Sequence, residues 1–155
     1  MSELELLLEA YENAVFEKDL ESFLALFDDQ VRVFDMWGQW SYNGLAAWGE
    51  MVKGWFSSLG ADRDRLTFEE VEFFFGGDLA TVTAFARFAA ISPNGEELRF
   101  LYNRLTLVVR RKSGGGSSPT PAPALSLGPG VWKIIHQHTS APIDGETLKA
   151  ILQRD

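Results

Sequence analysis

One acidic residue stands out because of its neighbours. Asp35 ends the alternating segment 30–35 and lies among Phe34, Met36 and Trp37. An apolar environment raises the pKa of a carboxyl group toward the range in which the group can act as a general base. Asp35 is therefore the first candidate for proton transfer, and the alternative is that it caps a turn at the end of a strand.

Two later segments carry polar side chains among apolar ones, with a period of two residues. The residues that this period places on one face of a predicted strand are Tyr102, Arg104 and Thr106 on one strand, and Trp132, Ile134, His136, His138 and Ser140 on the last strand. An arginine on such a strand needs a carboxylate partner or an anionic ligand. We predict that Arg104, Asp35, Tyr11 and at least one of His136 and His138 form one linked polar group that faces a common cavity. An arginine beside Asp35 would lower the pKa of Asp35 and make the pair ionic.

The two histidines of the last strand have three interpretations. His136 and His138 could donate two ligands to a metal ion, serve in acid/base catalysis, or form structural hydrogen bonds. No third ligand is evident near them in the sequence. We therefore predict neither a metal nor a cofactor, and we assign His138 to catalysis and His136 to ligand binding.

Tryptophans cluster around one predicted helix and the loop before it. Flat aromatic side chains make good walls for a planar or hydrophobic ligand. We predict that Trp37, Trp40 and Trp55 contact the ligand together with Tyr102 and Arg104, and core packing is the alternative for Trp55.

The elements that must position these residues follow from hydrophobic periodicity and turn signals. Helices are predicted over 3–18, from Asp19, and over 45–59, with a short strand over 30–35 between the second and the third. Long β-rich runs follow at 66–75, 79–91, 98–111 and 131–140, and residues 143–153 form a short helix or tail. This order predicts an α+β fold with helices on one face of a curved antiparallel sheet.

The segment 113–130 differs from the rest of the chain. Its sequence, SGGGSSPTPAPALSLGPG, contains five glycines and four of the six prolines, so it can neither fill a core nor continue a ladder. We interpret it as an insertion in a hairpin loop of a single domain, 1–155. The strands also carry apolar residues on both faces, which predicts a homodimer through the outer face of the sheet.

Composition excludes several classes of function. Fourteen basic residues against 22 acidic ones give a net charge of −8, which disfavours binding to nucleic acid or to an acidic membrane. The absence of cysteine removes disulfides, thiolate metal sites and cysteine nucleophiles. No apolar stretch approaches the length of a membrane span, and no basic leader precedes the acidic start, so we expect a cytoplasmic protein.

Two segments near the end carry a likeness to a known family. The sequence RLTLVVRR at 104–111, the loop, and VWKIIHQHTS at 131–140 are similar to the R-x-T strand, the hairpin and the W-K-I-x-H-x-H-x-S strand of SnoaL-like proteins in the nuclear transport factor 2 superfamily. The resemblance implies a cystatin-like α+β cone, a curved, mixed but mainly antiparallel sheet with three N-terminal helices packed on its concave face. The open end of such a cone is a pocket.

The same resemblance suggests roles for two residues. Asp35 resembles the base aspartate of ketosteroid isomerase, and Tyr11 resembles the tyrosine of its oxyanion hole. The second, protonated acid of that hole has no counterpart, because Asn103, Arg104 and Thr106 occupy the stretch. We therefore expect a small-molecule-binding protein, acting as a lyase or isomerase by proton abstraction on a carbonyl or carboxylate compound. The alternative is a non-catalytic binding or association module.

Overall fold

Three helices and a short β-hairpin precede four long strands in the computed structural model, which describes residues 1–112 and 132–154. The helices are α1 (Glu3–Glu17), α2 (Leu20–Leu24) and α3 (Leu45–Ser58). The strands are β1 (Phe27–Phe34), β2 (Tyr42–Asn43), β3 (Arg63–Gly76), β4 (Leu79–Ile91), β5 (Glu97–Arg111) and β6 (Trp132–Ser140). The predicted insertion at 113–130 lies outside the described residues.

Local sequence signals set the ends of the first two helices. The hydroxyl of Ser2 accepts a hydrogen bond from the backbone N–H of Glu5 at 3.1 Å, which caps α1. The helix ends at Lys18, whose left-handed backbone (φ 54°) lets its N–H reach the carbonyls of the last turn. Asp19 then caps α2 by accepting from the N–H of Ser22 at 3.1 Å. The left-handed residue Lys18 and the capping residue Asp19 thus end α1 and start α2 at adjacent positions.

The six strands form one sheet in the order β2-β1-β6-β5-β4-β3. Strands β1 and β6 are parallel, and every other neighbouring pair is antiparallel. The helices cover the concave face, where the apolar side of α1 is buried against the sheet. This is the predicted α+β cone with a mixed, mainly antiparallel sheet.

An aromatic cluster joins the helices to the sheet. Phe23 of α2 is fully buried, and its ring centre lies 4.8 Å from that of Tyr11 and 5.0 Å from that of Phe27. It also contacts Trp55 and Phe56 of α3 edge to face. The cluster therefore fixes all three helices relative to β1, and its contacts hold the rings of Tyr11 and Trp55 in place.

The convex face is more polar than the sequence pattern suggested. On β4, Thr81 and Thr83 separate Leu79 from Phe85, and the guanidinium of Arg154 lies 3.7 Å from the centre of the Phe85 ring. The apolar outer residues are therefore interrupted, and one of them is covered by the chain's own C-terminal segment. The homodimer through this face stays a prediction.

The C-terminal segment contains a turn at 145–147, which an isolated antiparallel bridge between Ile143 and Ala150 closes. It runs along the part of β5 that β6 leaves unpaired, where the N–H of Tyr102 donates to the carbonyl of Leu152 at 2.8 Å and the amide of Gln153 donates to the carbonyl of Phe100. The predicted alternative of a short helix is not formed by the described residues of this segment. No described helix is both long and apolar enough to cross a membrane.

Candidate functional site

A cavity of about 450 Å³ opens between the helices and the concave face of the sheet. Apolar side chains form most of its wall; they include Trp48, Met51, Trp55, Leu59, Leu66, Phe68, Phe88, Phe100 and Leu105. The polar residues that line it are Tyr11, Asp35, Ser58, Asp64, Arg99, Asn103, Gln137 and Thr139. Such a wall suits a small, largely apolar molecule with a few polar groups.

Asp35 lies at the cavity just after β1. Its carboxylate accepts hydrogen bonds from the backbone N–H of Trp37 at 3.1 Å and from the hydroxyl of Thr139 at 3.2 Å. Burial raises the pKa of Asp35 above the usual value, and these two hydrogen bonds lower it only in part. The raised pKa favours the exchange of a proton by this carboxyl group.

Tyr11 of α1 is fully enclosed beside the same region. Its hydroxyl donates to Oε1 of Gln137 at 2.8 Å. Burial, reinforced by the negative charge of Asp35, raises the pKa of Tyr11 far above its usual range, so the phenol stays neutral. The structure thus places Tyr11 and Asp35 at one cavity, and it adds Gln137 and Thr139 of β6, which the sequence analysis did not single out as site residues.

A second polar group lies at the cavity wall on strands β3 and β5. Asp64, Ala90 and Arg99 are successive cross-strand neighbours on β3, β4 and β5. The indole N–H of Trp55 donates to Asp64 at 2.9 Å. Burial raises the pKa of Asp64, and the hydrogen bond from Trp55 and the charge of Arg99 act against this. Trp55 therefore both lines the cavity and orients an acid.

Two buried side-chain atoms at the cavity wall have no hydrogen-bond partner among the described residues: Trp48 Nε1 and Asn103 Oδ1. An unpaired buried polar group costs roughly 1–3 kcal/mol. Asn103→Leu, which keeps the branched shape of the side chain and removes the amide, is therefore expected to raise the free energy of unfolding by about 1 kcal/mol. Urea unfolding of both proteins measures this, and a loss of stability would mean that the amide has a partner in solution.

Arg104 and Tyr102 do not reach the cavity. On β5, Asn103 and Leu105 are buried on the concave face, so the residues between and before them point to the convex face. There Arg104 donates to the hydroxyl of Ser140 at 3.0 Å, and the Tyr102 hydroxyl donates to Glu69 at 3.2 Å. The prediction that Arg104 faces Asp35 in one polar group is wrong, and so is the placement of Tyr102 at the ligand.

His136 and His138 also lie on the convex face, because β6 contains a bulge. Val109 pairs with Ile134 and Val108 pairs with His136, which leaves Ile135 as an extra residue. The extra residue inverts the alternation, so that Gln137 faces the cavity instead of the histidines.

On the convex face, Nδ1 of His136 lies 2.6 Å from the carbonyl oxygen of Arg32, and the ring of His138 meets Phe34 edge to face. The predicted placement of the two histidines beside Asp35 is therefore wrong. Within the described part of the chain, no three metal-binding side chains come together.

The loop tryptophans differ from each other. Trp37 lines the cavity mouth and is half exposed, whereas Trp40 is 97% exposed and does not line it. The prediction for Trp40 is therefore wrong. The loop turns at Gly38, whose positive φ of 82° and close approach to the hydroxyl of Tyr42 leave no room for a side chain.

Comparisons with known proteins agree with this architecture. The SnoaL-like domain family matches residues 8–115. An NTF2-like protein of unknown function from Pseudomonas putida KT2440 has a similar structure, with a TM-score of 0.78, 23% identity, and coverage of 99% of this chain and 94% of that one.

Two Streptomyces structures are also similar. ActVI-ORFA from Streptomyces coelicolor has a TM-score of 0.70 at 11% identity, covering 89% of this chain and 93% of that one. Aln2 from another Streptomyces strain has a TM-score of 0.65 at 14% identity, covering 89% of this chain and 87% of that one. No curated protein matches the chain in sequence. At these identities the structural likeness concerns the fold, and the family match covers more than half of the sequence: the chain belongs to the SnoaL-like domain family.

Proposed function

We propose that this protein binds a small, mainly apolar carbonyl compound in its cone and acts on it as an isomerase or lyase by proton abstraction. The observation that carries the proposal is a buried carboxyl group, Asp35, with a raised pKa at the wall of a largely apolar cavity. Asp35 is the general base. Beside it, the amide of Gln137, which is hydrogen-bonded to the neutral phenol of Tyr11, supplies a hydrogen-bonding group for the developing negative charge.

The charges of the cavity favour a neutral substrate over a carboxylate. Two carboxyl groups, Asp35 and Asp64, line the wall, whereas Arg99 is exposed and acts through its charge on Asp64. The guanidinium of Arg104, the predicted contact for an anionic ligand, is on the other face of the sheet. A substrate carboxylate near Asp35 would therefore face repulsion without a counter-ion.

The chemical step needs only groups of this chain. The carboxylate of Asp35 takes a proton from the carbon next to the carbonyl, the C–H electron pair forms a C=C bond, and the carbonyl π electrons move to oxygen. The oxygen electron pair then re-forms the C=O bond. In an isomerisation, the π electrons of the conjugated enolate take the proton back from Asp35 at another carbon; in a lyase reaction, they form a C=C bond to the neighbouring carbon, from which the leaving group departs with its bonding electrons and takes the proton of Asp35.

The open cavity also bears on the alternative of a pure association module. Side chains of Trp and Phe would fill the cone of such a module, whereas here they line about 450 Å³ of free space. A non-catalytic binding protein would keep the cavity and lack base activity. The two possibilities therefore differ in one measurable property, the reactivity of Asp35.

Nitrobenzisoxazole, a small planar probe, tests this reactivity. A base removes its ring C–H proton, the N–O bond breaks, and a coloured cyanophenolate forms, so that no other reactant is needed. We expect the wild-type protein to convert the probe, Asp35→Asn to lose this activity, and Asp29→Asn, the same change at an exposed site outside the cavity, to retain it. Equal activity of all three proteins would contradict the proposal.

A further inference from the structure

Gln137 occupies an unusual position for an amide. Its side chain is 2% exposed, lines the cavity and accepts through Oε1 the hydroxyl proton of Tyr11 at 2.8 Å. A phenol has one proton, and this one is given to Gln137. Tyr11 in this arrangement has no proton left for a ligand, so the sequence-based assignment of Tyr11 as the oxyanion donor does not fit the hydrogen bond that the structure contains.

The other end of the amide is available. With Oε1 held by Tyr11, the NH₂ group of Gln137 lies in the same plane on the other branch of the amide and points away from the phenol. No described residue accepts a hydrogen bond from this group, and it is not among the buried atoms that lack a partner, so it is open to the cavity. An amide N–H that faces free space in an apolar cavity is a donor for a ligand oxygen.

The position of Gln137 relative to the base fits an enolisable carbonyl compound. Gln137 and Thr139 lie on the same face of β6, roughly 6.5 Å apart along the strand. The hydroxyl of Thr139 donates to Asp35, so the carboxylate of Asp35 lies beside the residue that follows Gln137 on this face of β6. When a substrate's carbonyl oxygen binds the amide of Gln137, the carbon next to the carbonyl can therefore point toward the carboxylate of Asp35.

We infer that the NH₂ group of Gln137 is the donor that binds the substrate carbonyl and the enolate oxygen formed from it, and that Tyr11 is a positioning residue that fixes the orientation of this amide. The inference rests on the proposed function and deepens it. The substrate class is a neutral, enolisable ketone or aldehyde with an apolar body. As the C–H electron pair forms the C=C bond, the carbonyl π electrons move to an oxygen that accepts a hydrogen bond from Gln137.

Para-nitrophenolate, whose negative oxygen mimics the enolate, tests the donor separately from the base. The measurements use Asp35→Asn as the parent, because its neutral amide stands for the protonated base and removes charge repulsion. We expect the parent to bind the probe, and the additional change Gln137→Met to weaken binding about 10- to 100-fold. Tyr11→Phe should weaken it less than Gln137→Met, because the amide stays in place while its orientation is no longer fixed.

Two further measurements keep the test decisive if Gln137→Met disturbs folding. Gln137→Glu preserves an acceptor for Tyr11 and removes the donor, so it should abolish binding of para-nitrophenolate while thermal unfolding stays cooperative. The pKa of the bound probe, read from its absorbance, should rise more in Gln137→Met than in Tyr11→Phe. In ¹⁵N-labelled protein, the side-chain amide resonance of Gln137 should shift on addition of the probe.

Several results would overturn the inference. They are a parent protein that does not bind para-nitrophenolate, an unshifted Gln137 amide, or a loss in Tyr11→Phe that equals or exceeds that in Gln137→Met, since the phenol would then be the donor. A failure of the proposed base is detected by a separate experiment, the conversion of nitrobenzisoxazole by proteins that retain Asp35.

Discussion

Asp35→Asn is expected to slow the conversion of nitrobenzisoxazole at least about 100-fold, because a positioned general base contributes typically that much or more. The same change is expected to stabilise the protein at neutral pH. Burial raises the pKa of Asp35 above 3.8, so the folded state disfavours its ionisation. Loss of activity together with a gain in stability distinguishes a buried base from a structural carboxylate, whose removal would destabilise the fold.

The sign of the stability effect depends on pH. Below the ordinary value of 3.8 the carboxyl group is protonated in both the folded and the unfolded protein, and ionisation has no cost. As the pH rises through that value and through the raised pKa of the folded state, the wild-type protein loses stability relative to Asp35→Asn. Urea unfolding at acidic and at neutral pH measures this difference, and an advantage that shrinks toward neutral pH would contradict the account.

Phe23→Ala is expected to have the largest effect on stability, a loss of roughly 3–5 kcal/mol in the free energy of unfolding. Phe23 is fully buried, and its ring meets those of Tyr11, Phe27 and Phe56 at distances of 4.8 to 5.9 Å. Its removal leaves a cavity under three helices and under Tyr11. Activity toward nitrobenzisoxazole should fall as well.

The matched control is Phe74→Ala, since Phe74 is 56% exposed on β3. This change should alter stability by no more than about 0.5 kcal/mol. Denaturant titration of both variants tests the comparison. A loss below about 1 kcal/mol for Phe23→Ala would mean that the aromatic cluster does not hold the helices together.

Much of the fold follows from short-range signals in the sequence. The capping residues Ser2 and Asp19 and the apolar period of the first segments predict α1 and α2 close to their observed bounds. Strand β4 is observed at its predicted bounds, 79–91, because Gly76-Gly77-Asp78 and Pro93-Asn94-Gly95 mark both turns. Strand β1 starts at Phe27, earlier than the predicted start at residue 30. Residues 27–29 show no alternation of apolar and polar side chains, yet Phe27 already pairs with Ile134 of β6.

The site is harder to predict because it depends on which way each strand faces. Asp35 lines the cavity as its apolar neighbours in the sequence suggested, and Tyr11 lines it as the family resemblance implied. On β5 the alternation itself is right, yet it does not tell the concave face from the convex one, so Arg104 was assigned to the wrong side.

On β6 the adjacent apolar pair Ile134-Ile135 is the signal of the bulge. A strict period of two overlooks it and selects His136 and His138 over Gln137. The sequence could have indicated Asn103, because it is adjacent to Arg104 on the strand and therefore points to the opposite face of the sheet.

The pH dependence of kcat/KM for nitrobenzisoxazole tests most directly the claim that a buried carboxyl group serves as a base in the cone, because it reports the pKa of the essential base in the free protein. The account predicts a rate that rises with pH, has its midpoint above 3.8 and then levels off, and is lost in Asp35→Asn. A midpoint at or below 3.8, or a profile that is unchanged in Asp35→Asn, would contradict it.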